Sequence, residues 1–415
     1  MGETNTLTIG APKERVEGER RVAITPQVVA GYVKAGFRVL VESGAGLSAG
    51  FPDAAYTDKG AEIATRDAVL DADVLAVVRV LDDDPQSPER DRIKPGQIII
   101  GTARPLAAPE VASAVAEKGG VLFALELLPR TTRAQSMDVL SSQANIAGYK
   151  AVLLAAGALP KMTPMLTTAA GTIAPAKVFV LGAGVAGLSA IATARRLGAV
   201  VDAYDVRAAV KEEVQSLGAR FIEYDLDTGQ DGSGSGAYAT ALTDAQIAKQ
   251  RELMTKTLSG VDIVITTAQV QGAKAPVLVT KEMVAAMHPG SVIVDLAADQ
   301  GGNVEGSKPG ETVEIGGVTI IGTSNVPATV AHDSSLTFAK NIANFVALIV
   351  KDGAVDPTVD DDIVRETITT HDGQVVHARI RDVLGLEPLA APEPEVAPEP
   401  EPEVEAVSTE TTNPS

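Results

Sequence analysis

Short apolar runs bounded by Gly, Pro or acidic residues alternate along the chain with segments of helical period. That alternation marks strand–helix units whose strands are buried on both faces. The first series reads as strand 6–10, helix 26–36, strand 38–42, strand 74–80, strand 97–101, helix 108–118 and strand 121–125. A second series occupies residues 160–327, with strands in KVFVLG, VVDAYD, ARFIEY, VDIVITTA, SVIVDLA and VTIIG. Between them Ser142 to Leu159 has helical periodicity, and Ala331 to Val350 reads as a long amphipathic helix after the second. The pattern predicts an α/β protein of two Rossmann-like, doubly wound domains joined by these helices. The expected boundaries are 1–141 plus 328–385 for the first domain and 142–327 for the second, with the interdomain cleft as the ligand site.

The strongest local signal is VFVLGAGVAGLSA at residues 178–190. A buried-strand run feeds Gly182-x-Gly184-x-x-Gly187, an Ala-rich helix follows to Gly198, and the next strand, Val200 to Tyr204, stops at Asp205. Each part has a physical task in holding a dinucleotide. Gly182 permits the tight turn, Gly184 lets the backbone approach a pyrophosphate, and Gly187 lets helix and strand pack closely. The helix starting at Val185 offers free N–H groups to the phosphates. Asp205 suits the ribose hydroxyls of NAD and repels a 2′-phosphate, which outweighs the NADP signal of nearby Arg207.

Composition narrows the class. With 415 residues, 45% of them hydrophobic, the chain is long enough for two cores. It contains no cysteine, so disulfides, thiolate metal sites and a Cys nucleophile are excluded; no metal-ligand spacing is expected to hold an ion either. A formal charge of −19 argues against nucleic acid and against direct adhesion to anionic lipid. No signal peptide or membrane-length apolar run is visible, so the expected location is cytoplasmic, with any membrane attachment made through partner subunits. Residues 386–415 form an acidic Pro/Glu tail expected to be disordered. The glycine-rich stretch 227–241 is expected to be a lid, with Tyr238 as its anchor.

Proton-handling groups are scarce. Of the four histidines, His288 sits in a turn, His332 opens the long helix, and His371 and His377 lie beyond it. None adjoins the glycine turn in sequence. The polar cluster that stands out is Arg130-Thr-Thr-Arg-Ala-Gln135-Ser-Met-Asp138-Val-Leu-Ser141. It lies at the mouth of the predicted cleft. Its members Arg130, Gln135, Asp138 and Ser141 are expected either to grip an amide and a phosphate as one hydrogen-bonded set or to cap the linking helix, with Ser141 or Ser142 as N-cap.

These stretches carry a resemblance. PRTTRAQSMDVLSSQAN together with VFVLGAGVAGLSAIATARRLGAVVDAYDVRAAVKEEVQSLGARF is similar to the NAD(H)-binding component of proton-translocating nicotinamide nucleotide transhydrogenase. The opening PKERVEGERRVAITP fits as well, a pattern shared with alanine dehydrogenase, and the similarity runs from about residue 7 to 385. The resemblance implies that Arg130, Gln135, Asp138 and Ser141 hold the nicotinamide and its ribose. It implies adenosine-ribose contacts at Asp205, Val206 and Arg207, a loop closing through Tyr238, and further nucleotide contacts at Gln250 and residue 269. It also implies that NADP(H) sits on a partner subunit, that a membrane-spanning subunit carries the proton, and that this chain forms a homodimer at the inner face of the membrane. Two positions depart from the family: Gln269 replaces an apolar residue, and Ala237 precedes Tyr238 where a second glycine is usual.

The competing expectation is an alanine-dehydrogenase-like amino-acid dehydrogenase. That family works with a Lys and a His in its first domain, where this chain carries Arg79 and either Arg104 or Pro105. Arg21 matches that family's substrate-carboxylate arginine. Hydride transfer between two nicotinamides needs no such acid–base pair, whereas forming an imine does.

Overall fold

The computed structural model describes residues 6–224, 243–270, 272–351 and 354–389. Tyr238 and the rest of its glycine-rich stretch, and the acidic tail from residue 390, lie outside the described residues. Two sheets organise what is described. The first runs Gln374–Val375, Ile368–His371, Val121–Ala124, Ile98–Thr102, Val74–Arg79, Thr8–Ala11, Arg38–Glu42, Glu62–Ala64. Its six N-terminal strands are parallel. Numbered along the chain they lie in the order 3-2-1-4-5-6, the doubly wound order. The late hairpin 368–375 adds antiparallel beside Val121–Ala124, so the chain returns to this sheet after the second long helix.

The second sheet repeats the plan with Arg220–Phe221, Val200–Tyr204, Lys177–Leu181, Ile263–Thr266, Val292–Asp295 and Val318–Gly322 in parallel. Thr312–Ile315 closes its far edge antiparallel. The central strands are buried throughout, as in VLAVV of Val74–Arg79 and VFVL of Lys177–Leu181, because helices cover both faces.

The two linking helices are divided between the cores. Val139–Ala158 packs along the helix Val185–Arg196 and buries Ala151, Val152 and Ala155 in the second core. Ala331–Ile349 puts Phe338, Ile342 and Phe345 into the first, with Phe345 and Phe123 ring centroids 5.1 Å apart. The helices also touch each other, where the Ser142 hydroxyl donates to Asn341 Oδ1 at 2.7 Å.

Some elements differ from the sequence pattern. The first linking helix begins at Val139, three residues before the periodicity becomes legible, because Asp138 caps it. In ARFIEY only Arg220–Phe221 is ladder-paired. Thr312–Ile315 and the hairpin Leu166–Thr168/Gly171–Ile173 have no counterpart in that pattern; their residues are exposed or half-buried, so no apolar run announces them.

Candidate functional site

The strand Lys177–Leu181 stands at the point where the order of the second sheet reverses, between Val200–Tyr204 and Ile263–Thr266. Ligands of open parallel sheets bind at the carboxyl ends of such strands. The three glycines perform separable tasks there. Gly182 turns with φ +98°, and a Cβ on it would meet Thr267 Oγ1 at 2.5 Å. A Cβ on Gly187 would lie 1.8 Å from the Gly182 carbonyl oxygen, so helix and strand touch through bare backbone. A Cβ on Gly184 would have no described residue within 4 Å beyond its own chain neighbours and helix backbone, which leaves open space above the turn for a pyrophosphate. Gly184 is also the N-cap of the helix Val185–Arg196, and no side chain caps it, so the first-turn N–H groups face that space.

A fourth glycine belongs to this construction. Gly148 of the first linking helix crosses the helix Val185–Arg196 so closely that a Cβ would sit 2.0 Å from the Ala186 carbonyl oxygen. The Ser189 hydroxyl donates to the Asn145 carbonyl at 2.7 Å beside it.

Asp205 ends the next strand with its side chain buried. One oxygen accepts from the Ala183 N–H at 2.7 Å, which ties the glycine turn to the acid. The Arg207 guanidinium grips both oxygens at 3.0 Å. Burial by itself would raise this carboxyl; the Arg207 side chain and the backbone N–H groups of Ala183 and Arg207 outweigh it and hold the value below the ordinary range. The ion pair also occupies the arginine that would otherwise welcome a 2′-phosphate. Val206 beside it is exposed. Gln250 donates to the Tyr204 hydroxyl at 2.5 Å on the adjoining face.

The 130–141 segment resolves into parts. Asp138 is the N-cap of the linking helix, in place of the expected Ser141 or Ser142: its carboxylate accepts from the Ser141 N–H at 2.9 Å and the Ser141 hydroxyl at 2.5 Å. Arg130 and Gln135 are exposed, and neither side chain bonds a described residue, so the four do not form one hydrogen-bonded set. Arg133 turns away to Asp361 and Asp362. Asn341 and Asn344 each donate to the Ser136 carbonyl at 2.8 Å, fastening the segment on the second linking helix. Gln269 follows the strand Ile263–Thr266 on the opposite wall, and its side-chain amide donates to the Leu296 carbonyl at 2.7 Å.

The strand ends of the first sheet hold a buried ionic cluster whose only traces in the sequence pattern are Arg21, Arg79 and Arg104. Glu19, its side chain fully buried, takes the Arg21 guanidinium at 2.8 and 2.6 Å and the Asn325 amide at 2.9 Å. Arg21 also donates to Gln143 at 2.9 Å and to Asn325 Oδ1 at 3.1 Å. Burial would raise the Glu19 carboxyl; Arg21 overrides this and sets it at about 2. Asn325 lies where the chain leaves the second sheet, so this cluster fastens one domain to the other. Arg79 pairs with Asp83 at 3.0 Å. Arg104 is exposed with φ +49°, and Pro105 is buried. Burial pushes Glu14 up to about 8 and Glu126 up to about 7, while both accept backbone N–H groups that shape the neighbouring loops. His332 is taken up in packing, with Nδ1 2.9 Å from the Ala49 carbonyl and its ring stacked on Phe51. Among the described residues no helix is long and apolar enough to cross a membrane.

Two doubly wound domains, with a glycine turn and a strand-end aspartate at the switch point of the second, define a nucleotide-binding oxidoreductase architecture. The models of the alanine dehydrogenase/PNT N-terminal and C-terminal domains match residues 10–147 and 151–378. The first portion of the NAD(P) transhydrogenase subunit alpha of Rhodospirillum rubrum is 47% identical over 376 residues, covering 89% of this chain and 98% of that protein. A solved transhydrogenase from Sinorhizobium meliloti is 44% identical with a TM-score of 0.78, covering 89% of this chain and 99% of its own. Alanine dehydrogenase of Bacillus subtilis is 31% identical over 390 residues, covering 92% and 96%. The chain therefore belongs to the alanine dehydrogenase/PNT family, and within it the stronger kinship is with the transhydrogenase alpha subunits.

Proposed function

We propose that this chain is the NAD(H)-binding component of a proton-translocating transhydrogenase, passing hydride between its own nucleotide and NADP(H) held by a partner subunit. The observation that carries the choice is at Arg79. A guanidinium already paired with Asp83 occupies the position where an amino-acid dehydrogenase uses a lysine, and a guanidinium does not give up its proton. With Arg104 or Pro105 at the histidine position, the first-domain strand ends lack the lysine–histidine pair with which that family does its imine chemistry. The nicotinamide ring supplies the hydride chemistry. What the chain contributes is position: first-turn N–H groups at Val185 for the pyrophosphate, Asp205 for the adenosine ribose, and the exposed Arg130 and Gln135 beside the Asp138–Ser141 cap for the nicotinamide half. Direct exchange between two rings depends on such positioning and on excluding water. Proton movement then belongs to a membrane-spanning subunit whose states are biased by nucleotide occupancy, and this chain sits peripherally at the inner membrane face through its partners.

The test is reconstitution with an NADP(H)-binding component. Gln135→Ala should slow hydride exchange between NADH and an NADP analogue about tenfold or more, with NADH affinity changed only about twofold. Asp205→Ala should do the reverse, weakening NADH by about 1.5–3 kcal/mol, the range for a hydrogen bond to a charged group. No exchange from the intact pair, or absorbance growth at 340 nm with NAD and alanine alone, would sink the assignment.

We also place a homodimer contact on the second domain. The hairpin 166–173 exposes Leu166 and Ile173, with Met162 and Met165 exposed beside it. A two-stranded hairpin is marginal in water and needs cover for its apolar side chains. Sedimentation equilibrium should show a dimer that Leu166→Asp with Ile173→Asp dissociates without loss of NADH binding; a monomeric parent chain excludes the contact.

A further inference from the structure

We infer that Asn303 is a positioning residue for the nicotinamide half of the nucleotide site, because this one buried amide ties down both Ala268 and Pro276, the feet of the segments 267–270 and 272–277. The inference rests on the reading of the second domain as the NAD(H) site.

The loop leaves the sheet after Ile263–Thr266, the strand across the switch point from the one ending in Asp205. With adenosine on the Asp205 side, this loop borders the other half of the nucleotide. At the first foot the Ala268 N–H donates to Asn303 Oδ1 at 3.0 Å, and Asn303 Nδ2 donates back to the Ala268 carbonyl at 2.9 Å. At the second foot Nδ2 donates to the Pro276 carbonyl at 2.8 Å. Asn303 is fully buried, and both of its amide hydrogens are used. A carboxylate could not replace it, since both carbonyls require a donor.

The base beneath it is rigid. Asp295, also fully buried, accepts from the Asn303 and Val304 N–H groups at 3.0 and 3.2 Å, from the Ala297 N–H at 3.0 Å and from the Thr266 hydroxyl at 3.0 Å. Gly301 and Gly302, with φ +96° and +80°, turn the chain back to make this possible. The Asn303 carbonyl in turn accepts from Leu278 and Val279 at 2.8 and 3.0 Å, continuing the second foot.

The clamp reaches functional backbone on both sides. Next to the first foot the Thr267 hydroxyl donates to the Gly182 carbonyl at 3.0 Å, so the loop is joined to the phosphate turn. Between the two feet Gln269 is held on the Leu296 carbonyl, and Gly272 lies so close to Leu106 of the first domain that a Cβ would meet its Cβ at 2.8 Å. Asn303 therefore fixes the loop that bridges the cleft, without itself reaching the surface.

The experiment compares Asn303→Ser with the parent chain, measuring affinity for 5′-AMP, affinity for NADH and hydride exchange with the NADP(H)-binding component. The expected result is AMP affinity within about twofold, with exchange slowed on the order of 10–100-fold or NADH affinity reduced at least fivefold relative to AMP. AMP and NADH weakened in equal proportion with exchange falling in step, or no change in either, overturns the inference. Absence of exchange even in the parent chain counts against the transhydrogenase reading alone, because the NADH-to-AMP ratio still reports on the loop. If Asn303→Ser fails to fold, hydrogen exchange on the parent chain decides: the Ala268 amide should be strongly protected in the absence of nucleotide, and exchange as fast as a free loop amide refutes the clamp.

Discussion

Gly187→Ala is expected to cost NADH binding on the order of 100-fold or more, while Gly184→Ala, three residues earlier, leaves the fold intact and weakens binding by another route. The difference comes from what each added methyl meets. At Gly187 the Cβ would lie 1.8 Å from the Gly182 carbonyl oxygen, about half a normal van der Waals separation, and that oxygen is backbone. Helix and strand must separate, which moves the first-turn N–H groups away from the phosphates. Losing two charge-assisted hydrogen bonds removes roughly 3–6 kcal/mol of binding. The overpacking also destabilises the domain by about 1–3 kcal/mol, visible as a lower Tm. At Gly184 nothing lies within 4 Å of the added carbon, and its φ of −77° suits alanine, so Tm should hold while the methyl occupies ligand space. Calorimetric titration with NADH beside thermal melts separates the two. Equal Tm losses in both variants would refute the division of tasks.

Arg21→Ala should be the most destabilising single change in the interdomain cluster, at about 3–5 kcal/mol, the cost of taking from a buried charge the partner that hydrogen-bonds it. The fully buried Glu19 carboxylate would keep the Asn325 amide and neighbouring backbone N–H groups, with the Arg79 Nε 3.7 Å away as its remaining cation. The same pair sets an acid limb. Glu19 titrates at about 2 in the folded chain against an ordinary 4.5. Its contribution is therefore complete above about pH 4.5 and is lost as the pH falls towards 2. The size is about 3 kcal/mol from the shift between the two values. Denaturation of the parent chain between pH 5 and 2 should show this loss, and Arg21→Ala should flatten it. A parent-like acid limb in the variant would show that Arg21 does not set the Glu19 value. The variant should also loosen the domains, because Arg21 reaches Gln143 and Asn325 as well as Glu19.

The strands and linking helices were legible because apolar runs and helical periodicity reflect burial, and burial here is two-sided. The glycine turn was legible because each of its glycines answers a local steric demand within a few residues. The 130–141 segment was legible only as a group of polar side chains. The structure divides it, since Asp138 and Ser141 satisfy each other at the helix cap while Arg133 finds Asp361 and Asp362 far along the chain. In the sequence Glu19 is one more charge in a polar opening stretch. It is a buried partner because Asn325, more than three hundred residues away, donates to it, while Gln143 holds its partner Arg21.

Most of the buried elements, the two doubly wound units and the glycine turn with its acid can thus be read along the chain, since these depend on periodicity and on contacts between near neighbours. The tertiary structure alone decided which polar groups remain open to a ligand and which are taken up inside the protein. Gly148 against Ala186, Asn303 across both feet of its loop, and Glu19 between Arg21 and Asn325 all join residues distant along the chain. Desolvation makes the polar pairings obligatory once the chain folds, as close packing does the glycine contact, and no local pattern records which partner will be there.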